Sequence, residues 1–205
     1  MNWLKEQNRR ANAFLRGEFS ATLWMCAAAF CVLLIIGFVL GLLKEDFAVG
    51  FVENFAQQVE DLEILGEDGT VSAFALLKNN IRATLFTVCY GFIPYIFLPA
   101  LSLGTNSILL GAFAAYYVHE GQSLVLYLAG ILPHGIFELP AIVLAVAMGI
   151  YLCRKINEYI KHNPKGVMLP LLRDMACVFV LRLIPLLIAA SLVEAYITPR
   201  VMGLF

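Results

Sequence analysis

The chain has 205 residues, of which 61% are hydrophobic and only 14% charged, and its mean hydropathy is +0.82. Soluble domains carry roughly 25% charged residues, so composition excludes both a soluble globular enzyme and a disordered chain. The net charge of −1 hides a strong asymmetry along the sequence.

Residues 1–18 carry Lys5, Arg9, Arg10 and Arg16 against Glu6 and Glu18. Basic segments stay cytoplasmic, which predicts an N-terminus on the inside. The first apolar run, Phe19 to Leu43, has no charge. It exceeds the roughly 20 residues a bilayer span needs, and it is too long for a signal-peptide core and lacks a small-residue cleavage site. A retained first span over about 20–43 is expected. Within it, Gly37-x-x-x-Gly41 permits close helix approach and reads as internal packing rather than a dimer contact.

Residues 44–82 reverse the charge, with eight acids from Glu45 to Asp68 against Lys44, Lys78 and Arg82. This places the segment 44–78 on the outer, extracytoplasmic side. Phe47, Phe51, Phe55, Val59 and Leu62 recur at helical spacing among acids and amides, which predicts an amphipathic helix. Gly66 to Gly69 ends it, and Thr70 or Ser72 can cap a second helix. That helix either lies on the bilayer and covers the bundle, or docks an extracytoplasmic partner.

A second span is expected over about 81–100, with Leu101 to Ser107 as a turn signal. Ile108 to Leu132 is ambiguous, because His119-Glu120-Gly121-Gln122 interrupts an otherwise apolar stretch. The reading adopted is a broken or re-entrant element with His119 and Glu120 near the outer side. Irregular backbone at membrane depth needs protein or a water-filled cavity around it. Pro133-His134-Gly135 then starts a span to about Cys153. The loop 154–174 carries Arg154, Lys155, Lys161, Lys165 and Arg173 against Glu158 and Asp174, so it belongs inside. A last span covers about 175–197.

Together these elements predict an all-α polytopic membrane bundle forming one membrane domain over 1–205. It has about five crossings, the N-terminus inside and the C-terminus outside. Cys26, Cys31, Cys89, Cys153 and Cys177 lie in or beside apolar runs without CxxC spacing, and read as small hydrophobes. No basic cluster with interleaved aromatics suggests nucleic acid, and the lipid bilayer is the evident partner.

Ionisable groups inside a membrane are costly and mark functional candidates. His134 and Glu138 stand four apart and share one helical face. Pro133 and Gly135 loosen the helix around them, and Pro140 removes one further ladder bond. Three roles fit the pair: a proton relay, two ligands of a metal, or a structural lock between helices. Zn²⁺ asks for three or four ligands, and only His119, Glu120 and Glu194 could add to the set. Arg182 and Glu194 lie on the last span, about 18 Å apart along a helix axis, so each needs a partner elsewhere. A cluster of His134, Glu138 and Glu194 fits this geometry, with Arg182 nearer the inner half. No Ser/His/Asp set, HExxH or phosphate-cradling loop is present, which predicts a non-catalytic protein with no cofactor and no metal.

Four passages resemble one family. They are Asn79-Asn80-Ile81-Arg82, Asn106 to Gly111 with the small run Ala112 to Ala115, Pro133-His134-Gly135-Ile136-Phe137-Glu138-Leu139-Pro140-Ala141, and Ala189 to Pro199. In this order they are similar to the stage II sporulation protein M family of integral membrane proteins, over residues 79–199. Thr105 stands where the family usually has an aromatic. The resemblance implies a multi-pass protein of the bacterial inner membrane. In spore formers the namesake anchors an engulfment complex with peptidoglycan-degrading partners. The resemblance also implies distant kinship with ABC-type export permeases.

The function expected first is therefore a membrane scaffold that anchors or organises a cell-envelope complex through membrane or extracytoplasmic protein partners. The alternative is a transport or flippase-type permease subunit using His134, Glu138, Glu194 and Arg182. Five crossings are odd for inverted repeats, so that alternative expects a homodimer or a separate ATPase.

Overall fold

The computed structural model describes residues 2–61, 72–162 and 166–204. They fold as helices, with no strand among the described residues. In chain order these are α1 (Asn2–Arg16), α2 (Phe19–Leu43), α3 (Glu45–Asp61), α4 (Ala73–Cys89), α5 (Pro99–His119), α6 (Leu124–His162), α7 (Met168–Val178), α8 (Ile184–Tyr196) and α9 (Thr198–Met202). Four rods are long and apolar enough to cross a bilayer: α2, α5, α6 and the continuous helical stretch Met168–Tyr196. The molecule is an all-α polytopic membrane bundle.

α2 shows how such a helix finds its partner when every face is apolar. Its buried positions are Phe19, Thr22, Cys26, Phe30, Gly37 and Gly41, one stripe at three- and four-residue spacing. Trp24, Met25, Val32, Ile35, Val39 and Leu43 are exposed on the opposite side, as suits lipid contact. Small residues replace hydrophobic force as the driver of packing in a membrane. A Cβ on Gly37 would sit 2.5 Å from the Ile108 carbonyl oxygen, and one on Gly111 would strike the backbone of Leu34 and Phe38. Gly37 and Gly41 thus bring α2 against α5, within one chain. His119 Nε2 fastens the other end of this pair, 3.0 Å from the Gly41 carbonyl oxygen.

α6 is the axis of the bundle. Residues Val143 to Gly149 are buried without interruption, because α2, α4, α5 and α8 all pack on it. Its 39 residues pass through Pro133 and Pro140 without a break. In a membrane bundle, neighbours can re-satisfy the groups a proline frees, so the sequence Pro133-His134-Gly135 does not start a helix here. It lies within one that began at Leu124.

This corrects the boundaries expected around it. The turn lies at 93–98, where Tyr95 and Phe97 take positive φ, and not at 101–107, which is helical. Residues 108–132 are not one broken crossing. They are the end of α5, a reversal at Glu120 to Ser123, and the start of α6. The helix expected over about 81–100 is α4, which begins at Ala73 rather than 81, where the Ser72 hydroxyl accepts from the Ala75 N–H as an N-cap. Gly66 to Gly69, Thr70 and Leu62 lie outside the described residues.

One end of the bundle gathers α1, the start of α2, the end of α6 and α7. There Lys155 Nζ donates to Glu18 at 3.0 Å and Tyr95 N–H donates to Asn157. The opposite end gathers α3, the start of α4 and α6, the end of α5 and α8, and α9. Between α7 and α8 the chain makes one π turn, Phe179–Leu183. Pro185 cannot donate to the carbonyl of Leu181, and that carbonyl instead accepts from Arg182 Nη1 at 2.9 Å.

Candidate functional site

α4 and α5 barely touch, and the space between them continues inward to α6 and α8 as a cavity of about 830 Å³. Each helix presents one face to it. α4 contributes Leu76, Asn79, Asn80, Ala83, Thr84 and Thr87, and α5 contributes Ser102, Thr105, Asn106 and Leu109. α6 adds His134, Glu138, Ile142 and Ala145, and α8 adds Leu187 and Glu194. All four sets repeat every three, four or seven residues, the helical period. α3 closes part of the mouth with Phe51, Asn54 and Phe55, held where Phe55 meets Phe113 edge-to-face, with ring centroids 5.3 Å apart.

The carboxyl–imidazole group sits at the end of the cavity nearer α3. His134 Nδ1 lies 2.5 Å from a Glu194 carboxylate oxygen and 3.4 Å from the Thr198 hydroxyl. Its Nε2 is 3.9 Å from Glu138, too long for a hydrogen bond, so the shared helical face of these two does not join them directly. Glu138 Oε1 instead accepts from Asn80 Nδ2 at 3.1 Å. His134, Glu138 and Glu194 therefore converge, as their spacing along α6 and α8 suggested. Among the described residues no group of three or more His, Cys, Asp or Glu side chains is arranged to hold a metal ion.

Arg182 does not join this group. Its guanidinium donates to Asn12 Oδ1 at 2.9 Å and Asn8 Oδ1 at 3.0 Å, both on α1 at the opposite end of the molecule. The earlier grouping with His134 is thereby corrected: twelve residues along α8 separate Arg182 from Glu194, and α1 supplies a nearer partner. Arg82 also faces elsewhere, over the Phe86 ring at 5.6 Å. Asn79, Asn80 and Asn106 all line the cavity. Pro133 and Pro140 bracket His134 and Glu138 on α6, Gly135 is buried between them, and Pro199 opens α9.

Sequence reasoning missed Asn54, Thr84, Thr87, Ser102 and Thr105. Their signal is present but faint: hydroxyls and amides on one face of otherwise apolar helices. Thr84 donates to the Asn80 carbonyl at 2.7 Å and Thr87 to that of Ala83 at 2.9 Å. Such back-bonding lets hydroxyls sit in any membrane helix, so their alignment is recognisable only once the helices are side by side.

A family model described as Stage II sporulation protein M matches residues 26–199. The chain belongs to that family. Among its relatives, the uncharacterized protein MJ0706 of Methanocaldococcus jannaschii is 32% identical over 154 residues, which is 73% of this chain and 66% of that protein. The uncharacterized protein MJ0793 of the same organism is 27% identical over 128 residues, 62% of this chain and 71% of that one. Both relatives are archaeal, so the expectation of a bacterial host does not follow from them. No solved structure matches the chain. The family's matched stretch contains α3, α4, α5, α6 and α8, hence the whole lining of the cavity.

Proposed function

We propose that this member of the stage II sporulation protein M family is a non-catalytic, permease-type subunit of the cytoplasmic membrane, which holds a polar solute in the cavity between α4, α5, α6 and α8. One observation carries this reading: His134, Glu138 and Glu194 face open space of about 830 Å³ and not a dry contact between helices. Ligand pockets occupy about 300–1,000 Å³. Glu194 and Asn80 tie His134 and Glu138 to α8 and α4, yet all three acidic and imidazole side chains stay partly exposed to the cavity. The basic end with α1 lies inside and the acidic α3 end outside, so the cavity mouth faces away from the cytoplasm. In a chain without a nucleotide-binding loop, movement of the solute relies on a partner ATPase or a second copy.

The test is access. In a background lacking the five native cysteines, Ala83→Cys on the α4 rim should react with membrane-impermeant thiol reagents added from outside. Failure of any such reagent to react, in protein that remains monodisperse, removes the permease reading.

A second reading is favoured by α3, whose Glu45, Asp46 and Glu53 are exposed at the end opposite the basic α1. This acidic face suits docking of an envelope protein, as expected of a scaffold that organises a cell-envelope complex. Deleting 46–57 should then abolish partner recovery while the α2–α5 and α6–α8 contacts persist; undiminished recovery would sink it.

A further inference from the structure

Three of the four asparagines lining the cavity hold an amide N–H in a bond within the wall. Asn54 Nδ2 donates to the Gly50 carbonyl at 2.6 Å, Asn106 Nδ2 to that of Ser102 at 2.8 Å, and Asn80 Nδ2 to Glu138. In each case one of the two amide N–H groups is committed to a carbonyl or carboxylate. The amide oxygen is left for the cavity. Thr84 and Thr105 donate their single O–H to backbone carbonyls of their own helices and offer lone pairs inward, while the Thr87 hydroxyl reaches both the Ala83 carbonyl and the Ser102 hydroxyl. Two carboxyl groups and one imidazole join them, and no Lys or Arg is among the lining residues.

We infer that the cavity takes an organic cation bearing a protonated amine and no compensating anion. This rests on the permease reading above and gives its solute a chemical class. An ammonium group has three donors and no acceptor, which suits a wall that holds two carboxyl groups, amide oxygens and hydroxyl lone pairs and no Lys or Arg. A bare inorganic cation fits less well. Calcium gathers six to eight oxygens around one point, whereas these acceptors are strung over about 12 Å of α4 from Asn79 to Thr87. Much of the remaining lining is Phe51, Phe55, Leu76, Leu109, Ile142 and Leu187, which suits an apolar body, and the two phenyl faces suit a cation. An amino acid or an aminophospholipid brings its own carboxylate or phosphate, which would meet Glu138 and Glu194 with no Lys or Arg in the lining to neutralise it.

The experiment uses full-length Ala83→Cys protein, cysteine-free elsewhere, in lipid nanodiscs. It is exposed separately to a trimethylammonium-ethyl and a sulfonatoethyl methanethiosulfonate, each rate being normalised to that reagent's reaction with a free thiol. The cationic reagent should react faster by about tenfold or more, the range by which a cleft of one sign concentrates its counter-ion. The advantage should collapse in the Glu138→Gln, Glu194→Gln double variant. n-Butylammonium chloride should slow the reaction when sodium chloride at the same concentration does not. Equal rates for both reagents, or no protection by butylammonium, overturn the amine while leaving an accessible cavity. Equal protection by sodium overturns it in favour of an inorganic cation. Failure of both reagents to react instead defeats the permease reading itself. Should the double variant not fold, the butylammonium and sodium comparison on Ala83→Cys alone decides.

Discussion

Asn80 is the residue on which the intramembrane carboxyl group depends. It donates to Glu138 from the neighbouring helix, and Glu138 has no second side-chain hydrogen bond within the cavity wall. Leaving a buried acceptor unmatched costs about 1–3 kcal/mol. Asn80→Ala should therefore lower thermal stability in detergent by that amount, while Asn80→Gln retains the donor and loses less. Arg182 makes the complementary case at the other end. Hydrogen bonds to charged groups contribute about 1.5–3 kcal/mol, so Arg182→Ala should speed amide exchange across α1 by more than about tenfold and leave the labelling of Ala83→Cys unchanged. Exchange confined to its present level would show that α1 is held by Gln7 and Ala11, both buried, instead.

Acid sensitivity should also trace to named residues at this end. Lys155 donates to Glu18 and holds its carboxyl below the usual 4.5, and Arg9 with Arg10 does the same for Glu6. A depressed folded-state value stabilises the fold above the unfolded value, and that stabilisation disappears as pH falls through the folded one. The melting temperature should thus be flat near neutrality and decline below about pH 4.5. Glu18→Gln should flatten that decline, in a pH series measured by intrinsic fluorescence of Trp3 and Trp24.

At the scale of helices, glycine contacts fix the bundle. Gly91 and Gly149 bring the end of α4 against α6, since a Cβ on Gly149 would fall 2.6 Å from both Pro99 Cγ and the Thr87 carbonyl oxygen. Overpacking costs typically 1–3 kcal/mol, and backbone cannot step aside as a side chain can. Gly111→Ala should lie at the upper end of that range, whereas Gly104→Ala, with open space around it, should be neutral; comparison of the two melting temperatures checks this.

The same scale decides what the sequence disclosed. The apolar run of α2 and the four-residue spacing of His134 and Glu138 needed only period and composition. The start of α6 at Leu124 did not, because Pro-His-Gly reads as a helix start under rules learned in water, while lipid removes water as the competitor for freed carbonyls. α1 went unread as a helix because nine of its fifteen residues are polar, and it is held by long-range partners such as Arg182 and by Cys177, whose thiol meets Gln7 at 3.1 Å. The polar row on α4 and α5 was invisible for the same reason: alignment across two helices is a tertiary fact.

Across the molecule, buried and lipid-facing surfaces are sorted by helix and not by composition. α2 and α6 are both strongly apolar, yet α2 buries only a narrow stripe of six residues, whereas α6 is buried without a break from Val143 to Gly149. Exposed α2 positions such as Ile35 and Val39 should therefore accept Leu, Phe or Met with changes below about 0.5 kcal/mol, as surface substitutions do. Only charges should be rejected there, which an expression and membrane-insertion series would reveal.

The length of α6 has a mechanical meaning. Thirty-nine residues make a rod of about 58 Å, while a bilayer with its headgroups measures about 40–45 Å. Tilted by about 20°, it still exceeds the membrane by about two turns, and its basic end at Arg154 to His162 lies on the cytoplasmic side of that excess. Whatever grips that handle in the aqueous phase grips the same rigid body that bears His134 and Glu138.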